Sequence, residues 1–267
     1  MRWGSRFHKS PPARTEMTVP QHPVRFAPWV GARYTEGVHG LRMLLVCESH
    51  YGQKEHERPT VTPEIIKALA LGQAHPLATA KPGKHAHFTK IRTAVTKARP
   101  DGASLDTQGF WQCIAYYNYL QEFVSACRKA PPKSAWGRSE SAFSEVVSVL
   151  APDLIVCFSK RNGKKVRSLS KGTPVAVVNH PSSRFAYHRA KPAIAKGIEE
   201  ALARGLHVSE FSSSPTYDIW CRATASALPT PLANLSPPHI DELRQARMKA
   251  MKALDNYHRL VPPSGIE

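Results

Sequence analysis

Histidine, hydroxyl and cationic side chains crowd one short segment of the chain, VVNHPSSRFAYHR at 177–189. An apolar run ending at Val178 stops at Asn179-His180-Pro181, and Ser182, Ser183, Arg184 and Phe185 follow. A histidine at a strand end, on a tight Pro/Ser loop, is well placed to meet a substrate. Small residues let backbone N–H groups approach a phosphate, and Arg184 with Phe185 can probe stacked bases. A second run, RMLLVCESHYG at 42–52, ends the same way in Glu48, Ser49, His50 and Tyr51. Either segment alone also reads as an ordinary polar turn between strand and helix. The two together are harder to dismiss.

The elements that must position these residues follow from the hydropathy pattern. Residues 42–49 read as a buried parallel strand, short, apolar and bounded by polar turns. Further strands are expected near 113–117, ending at Asn118, at 153–159 and at 174–178. Helices are expected from about Thr62-Pro63-Glu64, over 88–98, after Asn118, over 139–150 with Ser139 as cap, over 191–204 and over 239–258. The stretches 73–87 and 160–171 read as loops, and 208–238 is Ser/Thr/Pro-rich and poorly periodic. Apolar strands alternating with helices indicate an α/β fold with a parallel sheet. The chain divides into a basic arm at 1–40, an α/β domain at 41–207 and an extension at 208–267 whose final helix packs on that domain. Ligands of such sheets sit beyond the carboxyl ends of the strands. Those ends carry Glu48 to Tyr51, Asn118, Ser159 to Arg161, and His180 to Phe185.

Composition narrows the partners. The chain has 37 Lys and Arg against 20 Asp and Glu, a net charge of +17. That balance points to a polyanion, nucleic acid first and an anionic membrane second. The loop KRNGKKVRSLSK at 160–171 holds six cations and no acid, and Lys160, Arg161, Lys164 and Lys165 are candidate phosphate contacts. A solvated loop is the plain alternative. The five cysteines form no CxxC pair, which speaks against a zinc ribbon or an iron–sulfur cluster. Cys47, Cys113 and Cys157 lie in apolar runs as small buried hydrophobes. His39, His56, His85 and His87 read as surface residues, not metal ligands. No metal and no cofactor is expected. The odd cysteine count points to a reducing cytoplasm. No apolar stretch approaches the length of a membrane span. The start, MRWGSRFHKSPPART, lacks an apolar core segment and reads as a mobile arm.

In their order, these motifs resemble those of the uracil-DNA glycosylase superfamily. Its first motif, GQDPYHG or GEAPG-like, corresponds to CESHYG, with Glu48 at the Gln/Glu, Ser49 at the Asp/Ala and Tyr51 at the Tyr. An Asn ends its second strand, as Asn118 does in YYNYLQ. Its last motif, HPSP with a wedge residue, corresponds to His180-Pro181-Ser182-Ser183-Arg184. The resemblance covers roughly 42–190. It implies a three-layer fold with a central four-stranded parallel sheet flanked by helices. It implies an enzyme that flips a nucleotide out of DNA and hydrolyses the bond between base and sugar. His180 would donate to the base carbonyl as negative charge develops there, Asn118 would read the flipped pyrimidine, and Arg184 would fill the gap in the duplex. Ser49 stands where many members carry a water-activating Asp, and Glu48, one residue earlier, would take that role or serve the turn itself. Ser49 and His50 remodel the floor beside Tyr51. The expected substrate is therefore uracil or, given the altered first motif, a modified pyrimidine such as a modified cytosine in viral DNA, in a defence setting. A lyase role would need an amine, and Lys160 has the position. The alternative class is a non-catalytic DNA-binding protein that keeps the fold, charge and wedge. In either case the expectation is a cytoplasmic monomer acting on DNA.

Overall fold

The computed structural model describes residues 23–52, 54, 57–73, 85–100, 103–125, 131–204 and 214–226. Residues 1–22 of the arm expected over 1–40, residues 74–84 of the loop expected over 73–87, and the helix expected over 239–258 lie outside them. Strands β1 (Trp29–Val30), β2 (Met43–Cys47), β3 (Ile114–Asn118), β4 (Leu154–Cys157) and β5 (Val175–Val177) form one sheet in the order β1-β3-β2-β4-β5. The pairs β2–β3, β2–β4 and β4–β5 are parallel, and β1 joins β3 antiparallel.

The four-stranded, wholly parallel sheet expected from sequence is corrected by this topology: the sheet has five strands and is mixed. The uracil-DNA glycosylase superfamily, base-excision and phage-defence terms attached to that sheet are not matched by it. The added strand escapes sequence reading because only two residues pair, Trp29 with Tyr116 and Val30 with Ala115. Three longer-range contacts hold it. Trp29 Nε1 donates to Trp111 O (2.7 Å), the Val30 N–H donates to Thr224 Oγ1 (3.0 Å), and the Gly31 N–H donates to Ile114 O (3.0 Å). A Cβ on Gly31 would stand 2.2 Å from Gln112 O, so only glycine lets the backbones approach this closely.

The helices are α1 (Val61–Ile65, running on into a π turn at Ile66–Ala70), α2 (Ala86–Thr96), α3 (Thr107–Gln112), α4 (Lys133–Arg138), α5 (Glu140–Leu150), α6 (Gly163–Leu169), α7 (Tyr187–Ala203) and α8 (Pro215–Ser226). Strand residues β2, β3 and β4 are all buried, as their apolar runs require for a sheet covered on both faces. Alternate side chains enter opposite layers. Met43, Leu45 and Cys47 pack with Phe88 and Ile91 of α2 and Ile194 and Ile198 of α7. Leu44 and Val46 pack with Phe143, Val146 and Leu150 of α5, Val166 of α6 and Trp220 of α8.

Several local expectations change. The basic stretch 160–171 is mostly helix α6, not loop, since Val166 buries one side of it against the second layer. The chain after Asn118 turns instead of forming a helix, and the helix of that region, α3, precedes the strand. Ser139 does not cap α5 through its side chain; its hydroxyl donates to Ala135 O and accepts from the Gln121 N–H. Helix α7 starts at Tyr187, and α8 lies inside the stretch read as irregular, held by the burial of Trp220 and Thr224.

One side chain ties the chain's early segment to the end of β3. Gln121 Oε1 accepts from the Arg25 and Phe26 N–H groups (both 2.9 Å), and Gln121 Nε2 donates to Asn118 O (3.1 Å). Gln121→Leu keeps the bulk and strands these buried partners. The expected outcome is a loss of at least about 2 kcal/mol of stability, read as a lower urea midpoint with an unchanged slope.

Candidate functional site

Parallel pairing puts the carboxyl ends of β2 and β3 side by side, Cys47 opposite Asn118. The period-two alternation turns Cys47, Tyr116 and Asn118 toward the layer of α1 and α2, where a cavity of about 510 Å³ opens. That volume lies within the range of small-molecule sites. Its floor carries Cys47, Ser49, His50, Tyr116 and Asn118. Val61, Ile65, Ala68, Leu69, Phe88 and Phe123 supply apolar wall, and Tyr51, Gly52, Arg58, Glu64, His85, His87, His180 and Ser182 complete the lining.

His50 is the buried centre of the floor, 3% exposed and enclosed by Phe26 and Phe123, each with its ring centroid 5.6 Å away. Burial pushes its pKa down to about 3, so the ring is neutral. Its Nε2 lies 2.9 Å from Thr62 Oγ1, and Asn118 Nδ2 donates to the ring at 3.1 Å. A neutral ring that accepts from Asn118 at Nδ1 donates from Nε2 to Thr62. This commits the Asn118 amide: its Nδ2 faces His50, and its Oδ1 is buried with no partner. Ser49 Oγ is the other buried, unpartnered floor atom. Both residues line the cavity, although neither of these two atoms is itself open to it.

The loop after β5 closes the mouth. The Ser182 N–H donates to His180 Nδ1 (3.2 Å), and the Ser183 N–H donates to His180 O (2.8 Å). Arg184 adopts φ +51°, a left-handed conformation unusual for a side-chain-bearing residue, and Asn179 Nδ2 donates to its carbonyl (2.9 Å). The Arg184 side chain is exposed at the loop tip. Burial, then the Arg161 charge, lowers the His180 pKa to about 4. His87 of α2 packs on His180 with centroids 5.1 Å apart, and its Nδ1 lies 3.4 Å from Ser182 Oγ. Burial first, then the neighbouring His180, holds His87 well below the usual histidine range. Burial raises the Cys47 thiol to about 12.

Of the residues expected from sequence, Ser49, His50, Tyr51, Asn118, His180 and Ser182 meet in this cavity. Glu48 stands next to it with both carboxylate oxygens engaged: Ser159 Oγ donates to Oε2 (3.0 Å) and Arg161 Nη1 to Oε1 (2.6 Å). Phe185 is half-buried against the core and meets Tyr187 edge-on at 5.5 Å, which spends the ring on packing. Ser183 is exposed outside the lining. Lys160, Arg161 and Lys164 are exposed around the start of α6, while Lys165 is half-buried and pairs with Glu140. His85 and His87 are corrected from surface residues to cavity lining. Arg58, its ion-pair partner Glu64 and Tyr116 were not identified from sequence either. Glu64 lies on α1, Arg58 just before it and Tyr116 on β3, and the sequence marks these as element positions without saying what their side chains face.

No protein-family model and no curated protein sequence matches the chain. Among the described residues no helix is long and apolar enough to cross a membrane.

His50 makes stability depend on pH with a definite sign. Its folded pKa, about 3, lies below the unfolded value of about 6.5, so the unfolded chain binds the extra proton. Its contribution is complete above about pH 6.5 and is lost as pH falls toward 3, at up to about 1.4 kcal/mol per unit. Urea unfolding at pH 7, 6 and 5 should show stability falling with acidity. His50→Gln should remove one histidine's share of that slope.

Proposed function

We propose that this protein is a DNA N-glycosylase, which takes one pyrimidine nucleotide out of the helix and hydrolyses its base–sugar bond to leave an abasic site. The observation that carries the reading is that Asn118, whose buried Oδ1 has no partner, and His180 line the same cavity. Once a small shift of the amide opens this oxygen to the cavity, a molecule that brings it no N–H leaves the carbonyl unpaired and is rejected. A pyrimidine ring nitrogen or exocyclic amine provides that N–H. The acceptance of the Ser182 N–H at His180 Nδ1 leaves the ring proton of the neutral form on Nε2. That proton can be donated to a base carbonyl where charge accumulates as the C–N bond breaks. The electron pair of the broken bond stays on the departing base, water adds to the sugar carbon, and the proton the water loses neutralises the released base.

Glu48 enters as a fixed negative charge near the sugar cation, since both its oxygens are already held. Ser49, whose buried Oγ has no partner, lines the cavity beside it. The net charge of +17 and the exposed Lys160, Arg161, Lys164 and Arg184 support a DNA backbone as the anchor. Exposed Arg184 at a strained loop tip suits the space vacated in the duplex. The cavity volume of about 510 Å³ has room for more than a bare six-membered ring, which favours a substituted pyrimidine. The reading takes the protein to act as a monomer in the cytoplasm. A second reading, a non-catalytic DNA-binding protein, is favoured by one observation: Glu48, the candidate acid, is bonded to Ser159 and Arg161 and lies outside the cavity lining.

The test is mass spectrometry of bases released from uracil-containing, unmodified and base-modified DNAs, followed by single-turnover kinetics on the DNA attacked. His180→Ala should slow release about 100-fold or more, as loss of one preorganised donor does elsewhere. Asn118→Ala should slow it strongly, and Glu48→Gln should slow it while DNA affinity holds. Binding without release from any DNA makes the second reading correct. Separately, Lys160→Glu with Lys164→Glu should weaken binding to all sequences alike and flatten its dependence on salt.

A further inference from the structure

We infer that Cys47, His87 and His180 form a binding site for one divalent transition-metal ion of the zinc class, at the edge of the cavity. The three come from three different elements, the end of β2, the first turn of α2 and the loop after β5. One ligand atom from each lies within 4.8 Å of the other two, and His87 Nε2 is 3.8 Å from Cys47 Sγ. Bonds of about 2.3 Å to sulfur and 2.0–2.1 Å to nitrogen in a tetrahedral site put ligand atoms about 3.3–3.6 Å apart. The Cys47–His87 edge is therefore nearly closed already, and His180, on a loop, has the shorter adjustment of a side-chain rotation left to make.

The donor set selects the ion. One thiolate with two imidazoles suits zinc and its first-row neighbours and gives magnesium or calcium nothing to prefer. Three protein ligands leave a fourth position, and His87, His180 and Cys47 all line the cavity, so that position opens to whatever occupies it. His87 has its supporting contact in place: with Nε2 on the ion, Nδ1–H points at Ser182 Oγ, 3.4 Å away. His180 joins at the cost of the Ser182 N–H bond it now accepts. On binding, the Cys47 S–H bond breaks, the proton goes to solvent and a sulfur–metal bond forms, leaving the ion and thiolate with net charge +1. The inference goes beyond the proposed reaction and does not need it. The two uses of His180 exclude each other in one molecule, because a ring bound through Nε2 has no proton there to give.

The experiment is a Co2+ titration of the full-length chain stripped with a chelator. The expected result is a sulfur-to-cobalt charge-transfer band in the near ultraviolet, with the intense visible bands of a four-coordinate ion, displaced by Zn2+. Cys47→Ser should abolish the charge-transfer band, while Cys221→Ser, outside the cavity, should leave it intact. His87→Gln, on a helix position that tolerates it, should weaken Co2+ binding at least about tenfold and still fold, checked by circular dichroism. Absence of the band in the saturated wild type overturns the site. So does its survival in Cys47→Ser, or wild-type affinity in His87→Gln. None of these readings depends on release of a base.

Discussion

The Cys47 carbonyl is the point on which the site depends. It accepts from the Tyr119 N–H (3.0 Å) and from Asn162 Nδ2 (3.2 Å), so the exits from β3 and β4 are both fastened to the end of β2. Asn162 is fully buried, and its N–H meets Ser159 Oγ (3.4 Å), which in turn donates to Glu48. The Leu120 N–H reaches Glu48 O (2.9 Å) and the Phe158 N–H reaches Val46 O (2.8 Å). A buried carbonyl that lost these donors would carry the full cost of desolvation. The strand ends are consequently held in one arrangement, and the catalytic candidates inherit it.

That arrangement separates two kinds of polar group. Glu48, Ser159 and Asn162 lie on the side of β4 and α6 and bond one another in a chain, with Asn162 Oδ1 left buried without a partner. Asn118, Ser49, His87 and His180 lie on the side of α1 and α2 and line the cavity. The division follows from the pleat: Cys47 and Glu48 are neighbours in sequence and project to opposite faces. Hydrogen bonding is thus incomplete on both sides, and the acidic residue of greatest promise in the sequence is held by Ser159 and Arg161. Such incompleteness in a buried cluster is costly unless something fills it.

Residues 23–40 show how tertiary packing completes this scaffold. Phe26 and Phe123 surround His50, and Glu57 accepts from the Phe123 N–H (2.8 Å) and pairs with Arg25. Trp29 and Val30 add an edge strand that protects β3. The aromatic residues of this segment are core, and the cavity floor is shaped by them as much as by the strand ends.

Much of the site was legible because each functional residue follows a short apolar run. Such a run, bounded by polar turns, reads as a buried strand, and parallel strands deliver their carboxyl ends to one edge. Glu48, Asn118 and the His180 loop could be grouped on that ground, and the basic balance of the chain needed no structure at all. Four things required the tertiary structure. The antiparallel edge strand rests on a two-residue pairing and a single permissive glycine, too short for a periodicity. The basic stretch became helix α6 because Val166 found a partner in the second layer. Glu48 was turned aside by Ser159 and Arg161, a matter of pleat and neighbours that residue type does not reveal. His87 entered the site because α2 packs across the ends of β2 and β3, and a histidine on a helix carries no mark in the sequence of what its face will meet. Local periodicity determines where strands and helices lie; long-range packing alone decides which side chains at their ends remain unsatisfied, and those carry the chemistry.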